Sequence, residues 1–148
     1  MGDNMKEKYM GIALKEAYKA YKNGDVPVGC IIVKNDKVIA KAYNRKEKNK
    51  NAIYHAEILA ITKACKKNKS WHLDDCEMYV TLEPCLMCIG AISQARIRKI
   101  YYATDNEKFG FTNYFEDNKI MNHKIEIEKD LCKSESEKLL KSFFKVKR

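Results

Sequence analysis

Apolar residues recur at helical spacing through the first stretch of the chain, at Met5, Tyr9, Ile12, Ala13, Ala17 and Tyr21. That period predicts an amphipathic helix over residues 5–22. Asn23-Gly24-Asp25 supplies residues that stop one. The pattern then shortens. Cys30-Ile31-Ile32-Val33 and Val38-Ile39-Ala40 are apolar runs on either side of the turn Lys34-Asn35-Asp36-Lys37, which predicts a hairpin. Residues 44–53 are polar and read as a loop. Helical spacing returns over residues 55–66, with Ile58, Leu59, Ile61, Thr62 and Cys65 on the apolar face. Met78-Tyr79-Val80-Thr81 predicts a strand. Pro84 suits the first position of a helix running to about Ala95. Residues 100–103 and 124–127 predict the last two strands. Residues 133–146 predict a closing helix with Leu139, Leu140, Phe143 and Phe144 inside.

Strands that alternate with helices need a sheet covered on both faces. The pattern therefore predicts an α/β fold, a three-layer α/β/α sandwich around a central mixed sheet of five strands. A chain of 148 residues with 45% apolar content suits one domain, residues 1–148, with a single core. The 29 basic and 20 acidic residues leave a net charge of +9. That balance favours a polyanionic partner such as nucleic acid, although a general richness in Lys and Asn would produce the same number. No apolar run reaches the 18 residues of a membrane span, and residues 1–7 lack the apolar core of a signal peptide. A reducing cytoplasm is the expectation, and there the six cysteines read as metal ligands or buried thiols rather than disulfides.

Two short segments carry chemistry. His55-Ala56-Glu57 opens one predicted helix, and Pro84-Cys85-Leu86-Met87-Cys88 opens another. Cysteines three apart on a helix share a face, and a helix N-terminus favours thiolates. Two thiolates and one imidazole fill three corners of a zinc tetrahedron and leave the fourth open, as catalytic zinc requires. Zinc brings the pKa of a bound water to roughly 7. Glu57, two positions from His55, is placed to take a proton from that water and pass it to a leaving amine. A lone Cys-x-x-Cys is more often a structural zinc site or a redox pair, so the decision rests on both segments occurring together. His-x-Glu followed by Pro-Cys-x-x-Cys is the known signature of zinc nucleobase deaminases, the deaminase behind adenine base editors among them.

The resemblance extends over nearly the whole chain. Asp25-Val26-Pro27-Val28-Gly29, the run from Tyr79 to Cys88, the segment Met121-Asn122-His123-Lys124-Ile125-Glu126-Ile127 and the run from Leu139 to Phe144 resemble bacterial tRNA adenosine deaminases, the TadA family. The resemblance implies the cytidine deaminase-like fold and a homodimer holding one zinc ion per subunit. It implies a reaction that turns the wobble adenosine of a tRNA anticodon stem-loop into inosine. By position, it implies His55, Cys85 and Cys88 as zinc ligands and Glu57 as the proton shuttle. Asn44 matches an Asn that hydrogen-bonds the flipped base, Val28 and Ala56 match positions lining the base pocket, and Phe144 matches an aromatic near a flanking nucleotide. By spacing alone, Asn44 reads as a strand-ending turn residue and Phe144 as a core residue of its helix.

Two segments depart from the bacterial pattern. Lys50-Asn51-Ala52-Ile53-Tyr54 and Asn106-Glu107-Lys108-Phe109-Gly110 resemble the catalytic subunit of the eukaryotic heterodimeric wobble deaminase. Phe111 onward resembles neither. Phe109, Phe111, Tyr114 and Phe115 are candidates to stack on bases, or else to close the core or a dimer interface. Lys41, Arg45, Lys46, Lys48 and Lys50 cluster near the expected pocket edge, and Lys138, Lys141, Lys145, Lys147 and Arg148 cluster on the last helix. Such clusters suit phosphate contacts and are equally common on solvated faces. Three rivals remain: a deaminase of free guanine, cytosine or nucleosides, a non-catalytic RNA-binding subunit, and a structural zinc domain. Glu57 argues against the second. The third needs a fourth ligand, for which His72 and Cys76 are the candidates. Cys30 and Cys65 read as core residues, and Cys132 has no evident role.

Overall fold

The computed structural model describes residues 2–114 and 124–147. Its strands are β1 (Gly29–Lys34), β2 (Lys37–Tyr43), β3 (Cys76–Leu82), β4 (Lys99–Thr104) and β5 (Glu126–Glu128), joined in one sheet in the order β2-β1-β3-β4-β5. β1 runs antiparallel to both β2 and β3, whereas β3, β4 and β5 run parallel. Helices α1 (Gly2–Lys22) and α5 (Lys133–Lys147) cover one face, and α3 (Ala56–Asn68) and α4 (Leu86–Ala95) cover the other. This is the mixed five-stranded sandwich that the alternation of elements predicts.

Central strands buried on both faces read as continuous apolar runs, and β1 shows why. Cys30 and Ile32 pack into the α3/α4 layer, and Ile31 and Val33 pack against α1. α1 lies close on the sheet because Ala13, Ala17 and Ala20 are small and fully buried. The approach also requires Gly29, where a Cβ would run into the Ala13 carbonyl oxygen and the Ala17 nitrogen.

The structure corrects the expected boundaries in several places. The hairpin turn is two residues, not four, because Asn35 and Asp36 take φ of 50° and 62°. A two-residue turn of that hand matches the twist of the strands it joins. The expected loop over residues 44–53 holds one helical turn, α2 (Lys46–Asn49). No local side chain caps it. Instead the Asp25 carboxylate accepts hydrogen bonds from the amides of Glu47 (2.8 Å) and Lys48 (3.3 Å). Pro84 lies just before α4 rather than at its first position, because Cys85 is the N-cap. In α5 only Phe143 of the four expected inward residues is buried. It meets Tyr21 of α1 edge-on at 6.0 Å between ring centres. Phe144, about 100° further round the helix, is 49% exposed.

Candidate active site

The C-terminal ends of β2, β3 and β4, the start of β1 and the N-termini of α3 and α4 meet at one edge of the sheet. Ligands of open α/β sheets bind beyond the carboxyl ends of the strands. His55 is the N-cap of α3, Cys85 is the N-cap of α4, and Cys88 lies within the first turn of α4. Packing α3 beside α4 brings the three together. His55 Nδ1 is 3.7 Å from Cys85 Sγ and 3.5 Å from Cys88 Sγ, and all three donor atoms lie within 4.8 Å of one another. A tetrahedral zinc with ligand bonds of about 2.0 Å to nitrogen and 2.3 Å to sulfur needs N···S separations of about 3.5 Å. The spacing and the donor set fit a metal ion of that kind. Among the described residues no fourth protein ligand joins the group. His72 faces the exposed carboxylate of Asp74 at 3.6 Å, and Cys76 is buried in the core.

The three groups perturb one another's acidity. The Cys85 thiol is brought down to about 4, first by its hydrogen bond with Cys88 and then by His55. Cys88 is pushed up by the same bond and by burial. His55 is raised chiefly by its bond to Cys85. Glu57, in the first turn of α3, is 4% exposed. Burial pushes its carboxyl up to about 7. A group with that value can both accept and give a proton near neutral pH.

A cavity of about 1070 Å³ opens over this cluster. His55, Glu57 and Cys85 lie on its wall with Val26, Val28 and Asn44, and residues 105–109, Leu140 and Phe144 form further parts of it. Asn44 is buried and doubly tied: its Oδ1 accepts from the Ala56 amide (2.8 Å) and its Nδ2 donates to the Val26 carbonyl (3.1 Å). It thereby caps α3, whose own N-cap side chain makes no such bond, and one N–H of its amide is left over for a ligand. Ala56 is not among the lining residues. Its side chain is buried in the core below. The aromatic candidates also divide. Phe109 lines the cavity at 62% exposure, Phe111 is core, Tyr114 is exposed away from the lining, and Phe115 lies outside the described residues. Among the described residues of the two basic clusters, Lys46 and Lys141 line the cavity.

The sequence model of the MafB19-like deaminase family matches residues 4–148. The tRNA-specific adenosine deaminase of Aquifex aeolicus is 43% identical over 143 residues, covering 95% of this chain and 94% of the relative. That of Bacillus subtilis is 38% identical, covering 94% and 88%. The chain belongs to the tRNA-specific adenosine deaminase family. A solved structure from a study of A-to-I editing by tRNA:A34 deaminases superposes on this member with a TM-score of 0.85 at 36% identity, covering 90% of this chain and 99% of that one. Guanine deaminase of Bacillus subtilis superposes less well, with a TM-score of 0.66 at 32% identity over 76% of each chain.

One residue of this deaminase's cavity escapes a reading by motif. Glu83, in the connection before Cys85, is buried and lines the cavity. Its Oε1 accepts from the Asn106 amide (3.1 Å), and its Oε2 accepts from the Thr112 amide (3.0 Å) and the Thr112 hydroxyl (2.7 Å). A charged residue inside the otherwise apolar run from Tyr79 to Cys88 was the available signal, since a buried carboxylate requires partners.

Proposed function

We propose that the chain acts as one deaminase domain that hydrolyses adenosine to inosine at the wobble position of a tRNA anticodon, releasing ammonia. The observation that carries this reading is the cluster of His55, Cys85 and Cys88, with His55 and Cys85 on one cavity wall beside buried Glu57, in a chain 43% identical to a tRNA-specific adenosine deaminase. His55, Cys85 and Cys88 would hold one zinc ion per subunit. Zinc held there supplies a water acidic enough to ionise near neutral pH. Glu57 takes a proton from the attacking water as oxygen bonds to C6 and passes it to N1; it then carries the remaining hydroxyl proton to the exocyclic nitrogen, which departs as ammonia and leaves the C6 carbonyl of inosine. Asn44 offers its remaining amide N–H to the base, and Val28 packs against it. Ala56 contributes through its amide, which holds Asn44 in place. Phe144 stacks beside a neighbouring nucleotide, where its 49% exposure leaves a ring face free. Net charge supports a tRNA partner. The family resemblance supports the homodimer and a cytoplasmic setting.

The second reading, deamination of free guanine, is favoured by the 32% identity to a guanine deaminase. One experiment separates them. The purified protein is incubated with an anticodon stem-loop carrying adenosine at the wobble position, and in parallel with guanine and free nucleosides. Inosine is expected in the stem-loop alone. Glu57→Ala should lower that rate by at least about a thousandfold, since it removes the proton carrier. Turnover of guanine with the stem-loop untouched would overturn the assignment.

A further inference from the structure

The segment carrying Cys85 and the loop following β4 are stitched together along their length. The Glu83 amide donates to the Thr104 carbonyl (2.9 Å), the Phe111 amide donates to the Pro84 carbonyl (3.0 Å), and Cys85 forms a β-bridge with Gly110. Between these backbone ties lies the Glu83 carboxylate, taking three hydrogen bonds from Asn106 and Thr112. Those two residues bracket residues 107–111. Within that span Phe109 and Lys108 line the cavity, and Phe109 is mostly exposed. Gly110 completes the arrangement, because a Cβ there would land on the Glu83 carboxylate. Other bonds shape the loop from within: the Gly110 amide donates to the Asn106 carbonyl (2.9 Å), the Phe109 amide to Asn106 Oδ1 (3.1 Å) and the Asn113 side chain to the Glu107 carbonyl (2.8 Å). Asp105, at its start, accepts from Tyr102 and Lys129, Phe111 enters the core, and the Glu83 carboxylate ties both ends of the span to the Cys85 segment.

We propose that Glu83 is a positioning residue. Its buried carboxylate fixes the cavity-rim loop 105–112 against the segment carrying Cys85, and so sets how tightly the polynucleotide substrate is held. This rests on the function proposed above. Three of the groups assigned to the chemistry are anchored elsewhere, His55 and Glu57 on α3 and Cys88 on α4, while Cys85, in the clamped segment, is also held as the N-cap of α4. Loosening the rim therefore acts on substrate binding more than on turnover. Gln at this position would accept through one oxygen only and would turn an NH₂ group toward an amide donor. Gly110→Ala attacks the same contact from the other side by pushing the carboxylate away.

The test uses the full-length zinc-loaded protein with Glu83→Gln, Gly110→Ala and the double variant. Zinc content, KM and kcat on the stem-loop, and hydrogen exchange at the Asn106 and Thr112 amides are measured. Each single variant should keep its zinc, raise KM roughly tenfold, hold kcat within about twofold, and exchange both amides faster. The double variant should be no worse than either single, as expected of two changes that break one contact. An unchanged KM overturns the proposal. So does a fall in kcat that tracks lost zinc, or additive effects in the double variant. A role confined to stability would lower the melting temperature and leave KM unmoved. Should Glu83→Gln not fold, Thr112→Val removes only the hydroxyl bond, and a KM rise of about two- to threefold is expected; none would overturn the clamp. If the wild-type protein leaves the stem-loop untouched, the proposed function fails, and the amide exchange then decides the clamp by itself.

Discussion

Cys85 is half-exposed and its thiol is held down to about 4, so it is a thiolate at neutral pH. The thiolate persists above that value and is lost as the pH falls through it. Cys65 and Cys132 are also half-exposed, but burial pushes both upward. In metal-free protein, iodoacetamide should therefore label Cys85 before either of them, at a rate nearly flat between about pH 6 and 8. A rate climbing about tenfold per pH unit through that range would mark an ordinary thiol. Peptide mapping after timed quenching reads the outcome. The identity of this thiol was legible from its place in Pro-Cys-x-x-Cys. Its partners were not, because His55 is 30 residues away and meets it only once α3 and α4 are packed.

Among the elements, α2 shows a short helix made possible from outside itself. Four residues form too little helix to persist alone, and Arg45 caps nothing. The Asp25 carboxylate supplies both the missing acceptor and a charge that suits a helix N-terminus. Asp25 is 2% exposed, so Asp25→Ala leaves two amides without their partner and should cost about 1–3 kcal/mol in urea unfolding. A loss below about 0.5 kcal/mol would show that water or the chain replaces the cap. Lys46 on this turn lines the cavity, so the same variant should also weaken stem-loop binding. α1, α3 and α4 were readable in the sequence because their apolar positions keep one period. α2 was not, since its stabilising group lies 22 residues upstream. The inward face of α5 was misread for a related reason. Phe143 and Phe144 look alike in sequence, and only the position of Tyr21 decides which ring is covered.

Across the whole molecule, the net charge of +9 predicts binding that weakens with salt. Contact with roughly four phosphates of a single-stranded loop gives a slope of about −3 in log affinity against log salt. Fluorescence anisotropy of a labelled stem-loop measures it, and a slope near zero would mean the basic residues are a solvated surface. Lys46 and Lys141 at the cavity are the first positions whose removal should flatten that slope.

The sequence by itself determined the sandwich and nominated the groups proposed to react, because helical and strand periods set local structure and because the paired segments His-x-Glu and Pro-Cys-x-x-Cys are a known signature. The tertiary structure alone decided the rest. It turned Asn44 into the cap of α3, divided Phe109 from Phe111, and brought Glu83 under the rim loop. Each of those depends on hydrogen bonds or packing between residues distant in the chain, and no local pattern encodes a distant partner.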